Sequence, residues 1–271
     1  MTPPVCVSIG TSDSSGGAGV QGDIKAFAAA GCWGATVVAG LTAQNSLGVQ
    51  DRYGVPVGFV ARQWHSVASD HDVRAVKVGV TWDCDMVAAV AELLAGSGLP
   101  VVVDPVLAAA SGAALAERSV VAAVVREYLP LATVVTPNLR EARMLTGDER
   151  GAPDVLALRL LDLGARAALV TTGGSHAVDY FATAGEVVEV TREEVPGLDI
   201  HGAGCAQSSL TAAFLAHGHP VPAAVRRACE LASRGVVRAP AGLGAGVAPI
   251  DVLGIAGRTR HHRAESVGTK G

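Results

Sequence analysis

Short valine-rich apolar runs alternate along the chain with longer stretches in which apolar residues recur at helical spacing. This alternation is typical of parallel strands joined by crossover helices. Strands are predicted at residues 5–10, 35–41, 74–80, 100–106, 132–138 and 166–172. Helices are predicted near residues 18–30, 57–69, 84–95, 116–128, 139–145, 153–163, 204–217 and 221–238. The pattern predicts an α/β fold in which helices cover both faces of a central, mostly parallel sheet.

Two later runs alternate apolar and polar residues, which indicates a different kind of strand. Residues 177–183 and 186–191 predict an antiparallel hairpin added to the sheet. The sequence contains neither an internal repeat nor an interdomain linker, so we expect residues 1–257 to form a single domain. Residues 258–271 are polar and basic, which predicts a disordered tail.

The charge and the cysteines argue against several classes of protein. A formal net charge of −4 argues against a general nucleic-acid binder. The five cysteines form no CxxC pair and no cluster at zinc-ligand spacing, which fits the reducing cytoplasm. No window approaches the roughly 20 apolar residues of a membrane span, and the first residues lack the pattern of an export signal. We therefore expect a cytoplasmic protein that binds neither nucleic acid nor membranes.

Polar residues with possible chemical roles follow several of the predicted strands. They are Asp13, Gln44, Asn45, Asp104, Asn138, Glu141 and the HGAGC turn at 201–205. Ligand sites in open parallel sheets lie at the carboxyl ends of the strands. This placement favours an enzyme.

The stretch HGAGCAQSS at 201–209 places a cysteine where an apolar helix begins. Its glycines let the backbone approach a ligand, and the first amides of a helix favour an anion such as a phosphoryl group. The same position would lower the pKa of the Cys205 thiol and make it a proton acceptor or a nucleophile. The alternative is a small buried cysteine after a glycine turn. That core role is the one expected for Cys6, Cys32, Cys84 and Cys229.

Three further segments have both a functional and a structural interpretation. The glycine-rich loop at 10–25 could bring backbone amides to a ligand, but it lacks the Walker pattern, and its aspartates could be ordinary caps. Asp104 ends a strand of valines, so we expect it to be exposed to a cleft. Asn138 and Glu141 match a helix capping box, whereas Glu141 with Asp104 would also suit a magnesium ion that touches phosphates.

Seven motifs occur in the order seen in hydroxymethylpyrimidine/phosphomethylpyrimidine kinases, which belong to the ribokinase-like superfamily. They are SDSSGGAGVQGDIK (12–25), LTAQNS (41–46), KVGV (77–80), DPVLAAASG (104–112), TPNLREA (136–142), HGAGC (201–205) and GLGAGVAP (242–249). The resemblance runs from about residue 5 to about residue 250. It implies an ATP site in the C-terminal half, a pyrimidine site nearer the N-terminal half, and a role in thiamin biosynthesis.

The resemblance also implies roles for individual residues, with ATP and Mg²⁺ as cofactors and a pyrimidine-like substrate. Cys205 stands where most superfamily kinases carry a catalytic Asp, and it would take the proton from the substrate hydroxymethyl group. The amides expected to stabilise the phosphoryl group are those of Gly202, Ala203, Gly204 and Cys205. The expected substrate-binding residues are Gly17, Asp23, Gln44 and Val80. The expected ATP-binding residues are Asn138, Thr171, Thr172 and Gly173. The expected metal ligands are Asp104 and Glu141. Superfamily members are often dimers, so a homodimer is expected.

The chain departs from the family pattern at three positions. Ala110 and Thr172 stand where the family typically has lysines, and Val80 stands where it often has methionine. Arg140 is a candidate for supplying the missing positive charge, although a solvated helix surface is the favoured interpretation of this residue. Loss of one stabilising group can cost roughly 3 to 4 kcal/mol in the transition state. The alternatives are therefore a kinase for another hydroxymethyl heteroaromatic such as pyridoxal, or a silent ligand-binding homologue.

Overall fold

The computed structural model describes residues 2–107, 117–173, 178–192 and 200–258. Nine strands of this part of the chain belong to one continuous sheet. They are β1 (Val5–Asp13), β2 (Trp33–Asn45), β3 (Gly48–Gly54), β4 (Val73–Val78), β5 (Val101–Val103), β6 (Val134–Val135), β7 (Ala167–Val170), β8 (Val178–Thr183) and β9 (Glu186–Thr191).

The strand order across the sheet is β3-β2-β1-β4-β5-β6-β7-β8-β9. Within this order, the neighbouring strands of the run β2-β1-β4-β5-β6-β7 pair in parallel. At the two sides of the sheet, β3 pairs antiparallel with β2, and β8 and β9 form the predicted antiparallel hairpin beside β7. The parallel part places the carboxyl ends of β1, β2, β4 and β5 at one edge, where ligand sites of such sheets lie.

Helices cover both faces of this sheet, which confirms the predicted α/β fold. They are α1 (Gly19–Ala29), α2 (Val57–Ala68), α3 (Cys84–Leu94), α4 (Arg118–Ala123), α5 (Leu139–Thr146), α6 (Pro153–Asp162), α7 (Ala203–Ala216) and α8 (Val221–Val237). Helices α1, α7 and α8 pack on one face, and α2 to α6 pack on the other.

The buried strands supply both hydrophobic layers because alternate residues of a strand point to opposite faces. On β1, Val7 and Ile9 pack with the α2 side of the sheet, whereas Cys6 packs with α1 and α7 on the other side. All three side chains are fully buried. This is why the first half of β1 has apolar residues on both faces rather than at every second position.

The structure differs from the prediction most clearly at the edge strand β3, which the hydrophobic pattern missed. All seven of its residues are exposed, so the sequence GVQDRYG carries no apolar periodicity. Hydrogen bonds to a longer β2, which extends to Asn45, form the strand instead. The predicted helix 116–128 also ends differently, since Val124–Tyr128 is a π-helical turn and Leu129–Leu131 a 3₁₀ turn. The predicted tail, from Thr259 onward, lies outside the described residues.

Candidate active site

The carboxyl end of β1 meets the segment before α7 through Asp13 and His201. The Asp13 carboxylate accepts hydrogen bonds from the backbone N–H groups of Ser15, at 2.8 Å, and Ala18, at 2.9 Å. His201 Nε2 lies 2.9 Å from Asp13 Oδ2 and 3.3 Å from Gln44 Nε2. Burial raises the pKa of Asp13, but the hydrogen bonds from His201 and Ser15 outweigh it and bring that pKa to about 2. Asp13 is therefore a charged anchor of its loop.

Gly17 and Gly202 allow the two glycine-rich segments to touch backbone to backbone. Gly202 has φ +80°, and a Cβ at this position would overlap the Gly17 carbonyl oxygen. A Cβ at Gly17 would in turn overlap the His201 ring. Gly17 is buried in this contact, which gives it a packing role beside the substrate-binding role expected from the sequence.

Helix α7 begins at Ala203, directly behind Gly202. No side chain of the described residues caps this end, and the first turn contains no acidic residue. The amides of Ala203, Gly204 and Cys205 therefore face the site without a protein anion, as a phosphoryl-binding turn requires. Gly204 is exposed and leaves open space where a side chain would stand.

A buried charge network lies beneath this turn and centres on Lys77 of β4, which is 1% exposed. The Lys77 ammonium contacts both oxygens of Asp23, at 3.1 and 3.0 Å, and lies 3.4 Å from Asp104 Oδ2. The Asp23 carboxylate also accepts hydrogen bonds from Ser8 at 2.5 Å and Ser209 at 2.7 Å. The network therefore joins strands β1 and β4 to helices α1 and α7.

Sequence analysis did not identify Lys77 as a functional residue. The available signal was one cation within an otherwise apolar parallel strand, because a buried charge requires a partner. Gly79 belongs to the same arrangement, since a Cβ there would come within 2.9 Å of Lys77 Nζ. His201 was recognised only as part of a motif, and its contact with Asp13 was not foreseen.

Two expectations for the buried carboxylates need correction. Asp104 is 4% exposed and paired with Lys77, so it does not project into an open cleft. Asp23 is 1% exposed, and Lys77, Ser8 and Ser209 occupy its oxygens. In this arrangement Asp23 holds Lys77 in place, and a direct contact of Asp23 with a substrate would require its hydrogen bonds to rearrange.

The expected low pKa of Cys205 is also wrong for the protein without ligands. Burial raises the pKa of this thiol well above its ordinary value of 9.0, and the nearby Asp104 and Asp23 carboxylates raise it further. Lys77 acts in the opposite direction and favours the thiolate. The helix terminus is thus outweighed by burial and by two negative charges. Cys205 is a thiol in the absence of ligands.

Asn138 and Glu141 form the capping box of α5. The Asn138 side chain accepts from the Glu141 amide at 2.9 Å, and Glu141 Oε2 accepts from the Asn138 amide at 3.0 Å. Glu141 Oε1 also accepts from the Leu107 amide at 3.2 Å, which ties α5 to the segment after β5. Burial, followed by the charge of Asp104, raises the pKa of Glu141 to about 8. The helix capping box predicted for this motif is therefore present.

The same two carboxyl groups fit a divalent cation that is shared with phosphates. Among the described residues, no group of three or more His, Cys, Asp or Glu side chains is arranged for a metal. Asp104 and Glu141 nevertheless lie close enough to raise the pKa of Glu141, and Asp104 Oδ2 accepts no hydrogen bond within that part of the chain. Mg²⁺ typically uses one or two carboxylates together with water and phosphate oxygens. A cation there would relieve the repulsion between the two groups.

The stability of the metal-free protein should decrease between about pH 4.5 and pH 8 because of Glu141. Its pKa is about 8 in the folded protein against an ordinary 4.5, so only the folded state holds the proton in this window. Each pH unit then costs about 1.4 kcal/mol of stability. Urea unfolding of wild type and Glu141→Gln at pH 5 and pH 8 checks this, because the variant should lose the decrease. An equal pH dependence in both proteins would contradict it.

Thr171, Thr172 and Gly173 form the turn that follows β7. Thr171 pairs with Asn138 through an isolated parallel bridge, and its carbonyl accepts from the Leu139 amide at 2.8 Å. The Thr172 amide donates to Asp179 Oδ1 at 3.0 Å, and its hydroxyl donates to the Val178 carbonyl at 2.8 Å. Gly173 is exposed, with φ +65°. The expected ATP-binding residues therefore lie together, at the carboxyl edge of the sheet.

The remaining predicted positions are less informative. Gln44 and Val80 are partly buried, and Gln44 approaches His201 as described above. Arg140 is exposed on the first turn of α5. Ala110, where the family typically has a lysine, lies outside the described residues.

A comparison with known proteins matches residues 13–251 to the family model described as phosphomethylpyrimidine kinase. A relative from Streptomyces coelicolor, named hydroxymethylpyrimidine/phosphomethylpyrimidine kinase, is 41% identical over 256 residues, which cover 93% of this chain and 95% of the relative. A thiamine biosynthesis bifunctional protein from Geobacter sulfurreducens is 36% identical over 253 residues, covering 90% of this chain and 51% of that protein.

A solved structure shows the same architecture. Bacillus subtilis pyridoxal kinase in complex with ADP superposes with a TM-score of 0.84 at 29% identity, covering 92% of this chain and 97% of that one. This likeness confirms the predicted ribokinase-like fold. Because the family model and the Streptomyces relative each span nearly the whole described fold, the chain belongs to the phosphomethylpyrimidine kinase family.

Proposed function

We propose that the chain phosphorylates the hydroxymethyl group of 4-amino-5-hydroxymethyl-2-methylpyrimidine with ATP and magnesium, and then phosphorylates the monophosphate again, as a step of thiamin biosynthesis. The observation that carries this proposal is the position of Cys205 in the uncapped first turn of α7, next to the Lys77 network. It places a proton acceptor and a phosphoryl-binding turn within the same few residues. The names of the relatives support the substrate class.

In the proposed reaction, the substrate hydroxymethyl oxygen attacks the γ-phosphorus of ATP, and ADP leaves as the bond to its bridging oxygen breaks. The hydroxyl proton passes to the sulfur of Cys205 in its thiolate form. The amides of Gly202, Ala203, Gly204 and Cys205 stabilise the charge on the transferring phosphoryl group. Asp104 and Glu141 would hold the magnesium ion, whose charge offsets that of the phosphates. Asn138, Thr171, Thr172 and Gly173 bind ATP, and Gly17, Gln44 and Val80 line the pyrimidine site.

The resting thiol explains how this reaction is coupled to substrate binding. Without ligands, two carboxylates oppose ionisation of Cys205 and only Lys77 favours it. A magnesium ion held by Asp104 and Glu141 would offset part of that opposition, and loss of the Cys205 proton to solvent would then be easier.

Mass spectrometry of the products tests the proposal. Purified protein is incubated with ATP, magnesium and the hydroxymethylpyrimidine, and pyridoxal is supplied in a parallel reaction. A pyrimidine monophosphate or diphosphate is the expected product. Phosphorylated pyridoxal as the strongly preferred product would instead favour the second candidate function, a pyridoxal-type kinase, which the ADP-bound structural neighbour and Val80 support. Binding of the pyrimidine with no product from either compound would indicate a silent homologue.

We further propose a homodimer formed through β3. This strand lies at the edge of the sheet with all seven residues exposed; Leu47 just before it is 72% exposed, and Tyr53 within it is 65% exposed. An unpaired edge of this kind is suited to a second copy of the same strand.

Residues 1–257 would form the single domain of each protomer. The five free thiols support a reducing compartment, the cytoplasm. Among the described residues, no helix is both long and apolar enough to cross a membrane.

Tyr53→Asp should convert the dimer to a monomer, because an added carboxylate at a β3 edge opposes pairing with its own copy. Light scattering after size-exclusion chromatography measures the mass. Ile255→Asp is the matched control, since Ile255 is 52% exposed at a distant position in the chain. A wild-type protein with the mass of a single chain at micromolar concentration would refute the dimer.

A further inference from the structure

A second buried ion pair lies beneath the turn that follows β7. Asp179 of β8 is 0% exposed, and its Oδ2 lies 2.8 Å from Nε of Arg192, the residue after β9. The Arg192 side chain is 23% exposed. A buried carboxylate paired with a cation is costly to assemble, and removing either partner leaves an uncompensated group.

Asp179 holds the turn directly. Its Oδ1 accepts from the Thr172 amide at 3.0 Å, while the neighbouring Val178 carbonyl accepts from the Thr172 hydroxyl at 2.8 Å. Thr172 occupies the position where the family typically has a lysine, so in this chain the side chain at that position fastens the turn to β8. The amide of this residue is thereby fixed in direction.

Asp179 also reaches helix α7. The Gln207 side chain lies close enough to Asp179 to lower its pKa, and Gln207 Nε2 donates to Cys229 Sγ on α8 at 3.0 Å. Gln207 is 6% exposed and lies one turn after the uncapped start of α7. The same carboxylate therefore connects the turn of Thr172 with the helix that carries Cys205.

The charge of Asp179 depends on Arg192. Burial raises the pKa of Asp179, and the Arg192 charge is the largest opposing influence. A neutral carboxyl group would be a weaker acceptor for the Thr172 amide. Arg192 thus affects the turn through Asp179.

We infer that Asp179, kept in place by Arg192, is a positioning residue that sets the nucleotide turn of Thr172 relative to the start of α7. The inference rests on the proposed kinase function. Arg192 therefore differs in its action from the lysine that the family typically has at position 172. Arg192 acts on the backbone of the turn, and it does so through a buried carboxylate.

Arg192→Gln is the principal test, with Arg192→Lys as the variant that keeps the charge. For Arg192→Gln, we expect the KM for ATP and the Kd for ADP to rise about tenfold. A change of this size corresponds to the loss of roughly one charge-assisted hydrogen bond. The kcat and the pyrimidine KM should stay within about threefold of wild type, since the Cys205 network is untouched. Arg192→Lys should raise the ATP KM only about two- to threefold.

Hydrogen exchange at the Thr172 amide in the ligand-free protein supplies a readout that is independent of turnover. The exchange rate of this amide should increase in Arg192→Gln and remain close to that of the wild type in Arg192→Lys. Arg159→Gln is the matched control, because Arg159 forms an ion pair of the same 2.8 Å length with Asp148, more exposed and on α6. That control should change neither ADP affinity nor exchange at Thr172.

The outcomes separate this inference from the proposed function. Wild-type ADP affinity and wild-type Thr172 exchange in Arg192→Gln, with an active wild-type enzyme, would overturn the inference alone. A decrease in kcat together with increases in the KM values for both ATP and the pyrimidine would also overturn the inference, since such changes indicate a general loss of structure. If the wild type neither binds ADP nor phosphorylates a substrate, the inference and the proposed function fail together.

Discussion

Cys205→Ala is expected to lower kcat for pyrimidine phosphorylation by about 10²- to 10⁴-fold, the range over which a positioned proton acceptor contributes to a reaction. The KM for ATP should change little, because the amides of Gly202, Ala203 and Gly204 remain. The removed sulfur is small, so the fold should be retained. Steady-state kinetics with each substrate varied in turn would measure the two effects separately.

The control for this prediction is Cys84→Ala. Cys84 is also a free, partly buried thiol at the start of a helix, α3, but it lies outside the Lys77 network. It should retain wild-type kcat. If Cys205→Ala retained more than about a tenth of the wild-type kcat, Cys205 would be no more than a packing residue.

Lys77→Met is expected to destabilise the protein by about 3 to 5 kcal/mol at pH 7, the usual cost of removing one partner of a buried ion pair. Methionine fills a similar volume, so the loss reports the charge rather than a cavity. Asp23 and Asp104 would then face each other without a cation in a buried site. Urea unfolding followed by circular dichroism measures the free energy of unfolding.

The pH dependence of this loss identifies its cause. Burial already raises the pKa of Asp23, against the effect of Lys77, so removal of Lys77 raises it further. The carboxylates can then take up protons as the pH falls, and the deficit of Lys77→Met should shrink from pH 7 to pH 5. Lys25→Met is the control, because Lys25 donates to the Gly16 carbonyl and forms no ion pair with a carboxylate of the described residues. A loss that is the same at both pH values would show that packing, not charge, is responsible.

The order of strands and helices could be predicted from the sequence because burial imposes a pattern on it. The valine runs of β1 and β4 contribute to both hydrophobic layers, and the amphipathic stretches cover them. Strand β3 could not be predicted in this way, since none of its residues is buried. Its pairing with β2 is fixed by backbone hydrogen bonds, which leave no trace in the choice of side chains.

The location of the candidate residues could be predicted from the sequence, but their charge states could not. The motifs placed Cys205, Asn138 and Glu141 at the carboxyl edge, where the structure has them. The sign of the pKa change at Cys205 was wrong because it depends on Lys77, Asp23 and Asp104, which are far apart in sequence. The Lys77 to Asp23 contact, for example, spans 54 residues. Spacing along the chain contains no information on which charges share one buried volume.

The contact between Gly17 and Gly202 has a consequence for how the protein is made. These glycines are far apart in the sequence; Gly202 leaves room for the Gly17 backbone, and Gly17 leaves room for the His201 ring. A nascent chain therefore cannot form this contact until its last third has left the ribosome and docked against the first. Contacts between such distant segments form late and slowly. A truncated chain that ends before α7 could bury much of its sheet and still lack Cys205 and the first turn of α7, where we propose that phosphoryl transfer occurs.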